Sequence, residues 1–177
     1  MRLSGKVAVI TGAQKGIGAA MARVFAREGA AIVVNWLDDE AAAMAVIADI
    51  ESAGGKALPL VCDIRFEEQV QAAVDKTVET FGSLDICINN ASAIQLTGTL
   101  QTPMKRFDLM HGVNMRGTFM TSQKCLPHLL KSSNPHILNI SPPLNMYEHW
   151  FENHVAYTMA KYGMSMCVLG MAQEYKS

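Results

Sequence analysis

A chain of 177 residues, 50% hydrophobic and 18% charged, carries enough apolar material for one buried core. Its 15 Lys and Arg stand against 16 Asp and Glu and are scattered, so no basic stripe tracks phosphates and nucleic acid is excluded as a partner. Cys62, Cys87, Cys125 and Cys167 are too widely spaced for a disulfide framework or zinc site, and the five His show no ligand spacing, so no metal is expected.

Met1 to Lys6 lacks the basic-then-apolar pattern of a signal segment, and no later apolar run is long enough to span a bilayer. A soluble intracellular protein is expected, cytoplasmic in the first instance, with mitochondrion and peroxisome left open. Val7 to Ile10 is an all-apolar run suited to a strand covered on both faces, and it ends in Thr11-Gly12-Ala13-Gln14-Lys15-Gly16-Ile17-Gly18. Glycines there let the backbone turn tightly and approach a pyrophosphate held by amides at a helix N-terminus. From Ile17 the apolar Met21, Val24 and Phe25 follow helical spacing, and Gly29 supplies a stop. Strand, glycine turn and helix in this order predict a dinucleotide site built on Gly12, Gln14, Lys15, Gly16, Ile17 and Gly18.

The second strand, Ile32 to Val34, runs into Asn35-Trp36-Leu37, where an NAD-preferring fold would carry an acid for the ribose 2′-hydroxyl. Lys15 offers a point charge for a 2′-phosphate instead, so NADP(H) is the preferred cofactor and NAD(H) a possible one. Asp38 and Asp39 complicate the choice, since either can reach back to the ribose or begin the next helix. A helix over 39–53 and a strand over 57–61 follow, with Asp63 just beyond, where it can accept from an adenine amino group or cap the next helix. Val70, Val74, Val78 and Phe81 mark that helix, Gly82 ends it, and Leu84 to Ile88 is a fourth strand. Regular alternation predicts an α/β, doubly wound parallel sheet with right-handed crossovers.

In Asn89-Asn90-Ala91-Ser92 small polar side chains can tie strand ends together and leave room for a cofactor, or form a plain Asn-rich turn. A helical region over 103–111 is interrupted around Asn114, which competes for backbone bonds, before a long helix toward Lys131. The fifth strand, His136 to Ile140, leads into Ser141-Pro142-Pro143 and a loop bearing Tyr147, Trp150 and Phe151, which suit either a pocket wall or the core beneath a lid. In the last helix, over 157–173, Tyr157 and Lys161 share a face. An ammonium beside a phenol favours the phenolate, which makes the pair a usable general acid or base.

With the glycine turn, Asn89-Asn90-Ala91, Asn114 and Tyr157-x-x-x-Lys161 in this order, the chain resembles the short-chain dehydrogenase/reductase family from end to end. The resemblance implies a single NAD(P)-binding Rossmann domain over 1–177, in which Asp63, Asn90 and Ala91 join the glycine turn against the cofactor. It implies hydride transfer to or from a small, apolar carbonyl or secondary alcohol. Tyr157 would move the proton, Lys161 would lower the Tyr157 pKa and hydrogen-bond the nicotinamide ribose, and Asn114 would hold a water in the proton path. The family's carbonyl-polarising Ser falls at Leu144 by its spacing to Tyr157, or at Pro142 when the chain is aligned on Asn139-Ile140, and Ser141, sixteen residues before Tyr157, can take its place through a longer loop. Family members continue into further strands and a cofactor-covering segment. The expectation is therefore a Rossmann fold lacking its C-terminal strands, with a homo-oligomer possible but weakened. The rival reading is a truncated, non-catalytic dinucleotide-binding or subunit-interaction module.

Overall fold

A computed structural model of the chain describes residues 1–176. Five strands, β1 (Val7–Ile10), β2 (Ala31–Trp36), β3 (Lys56–Val61), β4 (Ile86–Asn89) and β5 (His136–Asn139), form one parallel sheet in the order β3-β2-β1-β4-β5. Six helices accompany them: α1 (Gly16–Arg27), α2 (Glu40–Ser52), α3 (Glu67–Phe81), α4 (Met104–Met110), α5 (Thr118–Leu129) and α6 (Val155–Glu174). This is the doubly wound Rossmann arrangement expected from the alternation of elements.

The strand period of two sorts the core into two layers. Ala8, Ile10, Ile32, Val34, Ile86 and Ile88 pack under α1 and α2 against Ala19, Ala22, Val46, Ile47 and Ile50. Val9, Val33 and Cys87 point the other way, against Val74, Cys125 and Leu129 of α3 and α5. Because both faces are covered, β1 and β4 are buried at every position, which is why β1 reads as an unbroken apolar run and β4 as one up to Asn89. β3 lies at an edge and tolerates Pro59, which cannot donate to a ladder. β5 is the other edge among the described residues, paired to β4 alone.

β4 begins at Ile86 rather than at the expected Leu84, because Asp85 serves as a junction. Its buried carboxylate accepts from Val7 N at 3.0 Å, from Ser83 Oγ at 3.2 Å and from Ser132 Oγ, with Lys6 Nζ 3.4 Å away. Burial pushes the Asp85 carboxyl pKa up, but the hydrogen bonds from Ser132 and Val7 and the Lys6 charge outweigh it, so the net shift is downward. The chain turns from α4 into α5 through a stretch of π-helix, His111–Gly117, with Asn114 at its centre. No helix among the described residues is long and apolar enough to cross a membrane.

Replacing Asp85 by Ala strips the counter-charge from Lys6 and the acceptor from Val7 N. It is expected to cost about 3 kcal/mol, read by urea denaturation. Because the folded-state pKa is lowered, the wild-type contribution is present above the ordinary carboxylate range and fades as pH falls through the lowered value. The deficit of the variant should therefore shrink in acid.

Candidate active site

The order of strands reverses at β1, whose neighbours β2 and β4 lead to opposite ends of the sheet, and the crevice over their carboxyl ends is where such folds hold ligands. A cleft of about 430 Å³ opens there, lined by residues of the glycine turn, the ends of β2 and β3, and Asn90 to Ala93. Gly12, Gln14, Lys15, Ile17, Asp63, Asn90 and Ala91, all expected at a cofactor site, are among its walls.

The turn is held from both sides. Thr11 Oγ1 accepts from Asn90 N and Ala91 N, each at 3.0 Å, and donates to the Ile88 carbonyl at 3.3 Å. Asn90 Nδ2 donates to the carbonyls of Thr11 (2.9 Å) and Gly12 (3.0 Å). From the β2 side, Asn35 Oδ1 accepts from Gly12 N at 3.3 Å, while Asn35 Nδ2 donates to Leu60 and Cys62 carbonyls at the end of β3. Gly12 sits at φ +63° with Ala91 Cα 3.0 Å from where a Cβ would be, and a Cβ on Gly18 would lie 2.4 Å from the Gly12 oxygen. The two glycines are therefore steric requirements of the turn. At Gly16 a Cβ would meet nothing within 4 Å, and it is the left-handed backbone, φ +56°, that calls for glycine there. α1 starts with neither an acidic residue in its first turn nor a side-chain cap, which leaves its N-terminal amides for an anion.

Asp63 is not the cap of α3, whose N-cap is Phe66. Its carboxylate is gripped by Arg65, with Nε 2.9 and 3.0 Å from its two oxygens and the Arg65 amide at 3.0 Å. The Arg65 guanidinium holds the Asp63 pKa low against the opposing effect of burial. Asp38 and Asp39, equivalent in the sequence, separate here. Asp39 caps α2 by accepting from Ala42 N at 2.9 Å, and Asp38 turns back to Gln14.

A second cavity, about 580 Å³, lies over the end of β5 and is walled by Ser141, Tyr157 and Lys161 together with Leu96, Pro142, Pro143, Trp150 and Tyr162. Tyr157, Ala93 and Phe107 all pack against a cluster of Met110, Ala156 and Ala160, and Ala93 also lines the first cleft. Asn114 holds Ala93 in place: fully buried, it accepts from Ala93 N at 2.9 Å and donates to Ala93 O at 2.8 Å. Lys161 is 8% exposed, its Nζ donates to the Ile140 carbonyl at 2.5 Å, and burial pushes its pKa down. Leu144, where the resemblance puts the polarising Ser, is 46% exposed and outside this wall.

The loop aromatics divide their work. Trp150 joins the cavity wall, Phe151 packs on Tyr162 with centroids 5.3 Å apart, and Tyr147 is exposed beside His149. Met146, also 72% exposed, does not line the cavity. His154 does, with Nδ1 2.8 Å from Thr158 Oγ1. Sequence reasoning overlooked Thr11, Asn35 and His154, because their importance lies in partners distant along the chain.

The short chain dehydrogenase profile matches residues 6–177, and the chain belongs to this family of dinucleotide-dependent oxidoreductases. Hydroxysteroid dehydrogenase-like protein 2 of Danio rerio is 58% identical over 181 residues, covering 99% of this chain and 44% of the relative. Its Homo sapiens counterpart is 52% identical, with shares of 99% and 43%. The chain thus spans less than half the length of these curated relatives. Among solved structures, a short chain dehydrogenase from Mycobacterium thermoresistibile superposes with a TM-score of 0.94 at 46% identity, covering 98% of this chain and 64% of that one. A metagenomic short-chain oxidoreductase in complex with NADP gives 0.91 at 30% identity, covering 99% and 79%. The steric glycines, the uncapped start of α1 and an unpaired buried oxygen on Gln14 fit such a dinucleotide in the first cleft.

Thr11→Val keeps the shape of the side chain and deletes the acceptor shared by two amides. It is expected to cost about 1–3 kcal/mol in thermal or urea unfolding, with most of that recovered by Thr11→Ser. Equal stability of the two variants would show that the hydroxyl does not organise the turn.

Proposed function

We propose that the chain forms the cofactor-binding and proton-transfer part of an oxidoreductase that moves a hydride between a nicotinamide dinucleotide and a small, apolar carbonyl or secondary alcohol. One observation carries the reading: Ser141, Tyr157 and Lys161 line a single cavity whose remaining walls are largely apolar. Bound dinucleotide supplies the hydride.

In reduction, the carbonyl carbon gains that hydride and the Tyr157 hydroxyl gives its proton to the oxygen, so an alcohol and a phenolate result. The phenolate is stabilised by the Lys161 ammonium four residues along the same helix, in a wall with no carboxylate to compete for it. Ser141 donates to the carbonyl oxygen and makes the carbon more electrophilic. Asn114 positions Ala93 through its paired hydrogen bonds, and the interrupted helix around it would hold the water through which Tyr157 is reprotonated. Leu96, Pro142, Pro143 and Trp150 favour an apolar substrate body. On the cofactor side, Lys15 offers charge to a 2′-phosphate while Asp38 opposes it, and the balance of the two sets the choice of dinucleotide.

A dinucleotide-binding module without turnover is the second reading. It is favoured by Leu144 at the position where the family resemblance sets the polarising Ser.

Consumption of NADH and NADPH with a panel of ketones and aldehydes tests the proposal. Tyr157→Phe is expected to lower the rate about 10²–10⁴-fold, and Ser141→Ala to lower it less. Both should leave dinucleotide affinity within about threefold of wild type. An undiminished rate in Tyr157→Phe would remove the general acid, whereas dinucleotide binding with no turnover of any carbonyl favours the second reading.

A further inference from the structure

His154 precedes the first turn of α6 as its N-cap, and with Tyr157, Thr158 and Lys161 it falls at i, i+3, i+4 and i+7, one face of the helix. All four line the second cavity. His154 is half-buried, and its ring is not spent on capping the helix. Nδ1 lies 2.8 Å from Thr158 Oγ1, and the Thr158 hydroxyl has the Trp150 carbonyl as its own acceptor at 3.4 Å. That chain of bonds makes Nδ1 the donor to Thr158 and fixes the ring from one side. Nε2 enters no hydrogen bond among the described residues, so one ring nitrogen is anchored and the other is left for a partner.

Charge in this wall has one sign. Lys161 and His154 are the residues there able to carry positive charge, and no Asp or Glu lines it. Glu148 and Glu152, on the adjoining loop, are exposed and outside the wall. α6 has no acidic residue in its first turn, so the positive end of its dipole stands unopposed. An apolar cavity with this charge suits a substrate that is itself anionic at one end.

We infer that the second cavity takes an oxo acid or hydroxy acid, whose carboxylate is held by His154 while its apolar chain lies along Leu96, Pro142, Pro143 and Trp150. This rests on the hydride transfer proposed at Tyr157. With the acid bound, the imidazolium donates from both nitrogens, Nδ1–H to Thr158 and Nε2–H to the carboxylate, and the second is a charge-assisted bond stronger than a neutral one. Thr158 is a positioning residue, since it orients the ring. A neutral ketone of the same shape brings His154 no counter-charge, so the site discriminates on the remote charge rather than on the reacting carbon.

Oxidation of NADH and NADPH in the presence of acetoacetate and levulinate, each set against its methyl ester, tests this directly. The acids are expected to exceed their esters in kcat/KM by at least about tenfold. His154→Phe keeps a ring and deletes the donor, and should bring the acid-to-ester ratio close to one. His154→Gln, which keeps a donor without the charge, should retain an intermediate ratio, and Thr158→Val, which releases the ring, should lower it less than His154→Phe does. Esters turned over as well as the acids by the wild type would overturn the inference and leave the hydride transfer standing, as would a ratio unmoved in His154→Phe. Turnover of other ketones and aldehydes with neither acids nor esters accepted would overturn it too. No turnover of any carbonyl would overturn the oxidoreductase reading itself, and this inference with it.

Discussion

The hydroxyl of Thr11 is the contact on which the rest of the site depends. One oxygen at the end of β1 accepts two amides from the chain leaving β4 and returns a hydrogen bond to Ile88, so the two central strands end in a fixed relation. Asn90 then uses its amide to hold the carbonyls of Thr11 and Gly12, and Asn35 approaches the same glycine from β2. Three strand ends converge on a single peptide. A Cβ is excluded at Gly18 because the Gly12 carbonyl already occupies that space. The opening of α1 toward the cleft follows from this packing as much as from helix propensity.

A second level of organisation runs through Asn114. An Asn inside a regular helix would compete with the ladder. Here the backbone widens to a π-helix, and the side chain spends both its polar ends on the main chain of Ala93, at complete burial. Ala93 lines the first cleft and packs against the same Met110, Ala156 and Ala160 cluster as Tyr157. Tyr162 closes the substrate side in a similar way, since its hydroxyl is bonded to both the amide and the carbonyl of Asn145 and its ring supports Phe151.

The two buried carboxylates are both satisfied within the fold. Asp63 is saturated by Arg65, and Asp85 gathers a strand amide, two serines and Lys6 at the far end of the sheet. Asp39 is spent on the start of α2. Two groups stand apart from this pattern. Lys161 is buried with a carbonyl rather than an anion for a partner, and Gln14 keeps an acceptor unpaired. Both residues line cavities.

Much of the fold was legible in the sequence, since parallel strands covered on both faces must be apolar throughout and helices between them must repeat with period 3.6. The glycine turn and the placing of Tyr157 and Lys161 on one helix and in one cavity wall were also legible, because their geometry is set within a few residues. Boundaries were less so, as at β4, where Asp85 belongs to a junction rather than a strand. The sequence could not tell Asp38 from Asp39, nor Asp63 as an adenine ligand from Asp63 as a cap, because each choice rests on a partner: Ala42 for one, Gln14 for another, Arg65 for the third. Nor could it reveal that Ser141, rather than Leu144, shares a cavity with Tyr157, since two prolines set a loop path that spacing does not encode. What the sequence determined by itself was every feature fixed by local period and backbone sterics. Tertiary structure alone decided which side chains were already satisfied, because hydrogen-bond partners come from strands and loops far apart in the chain.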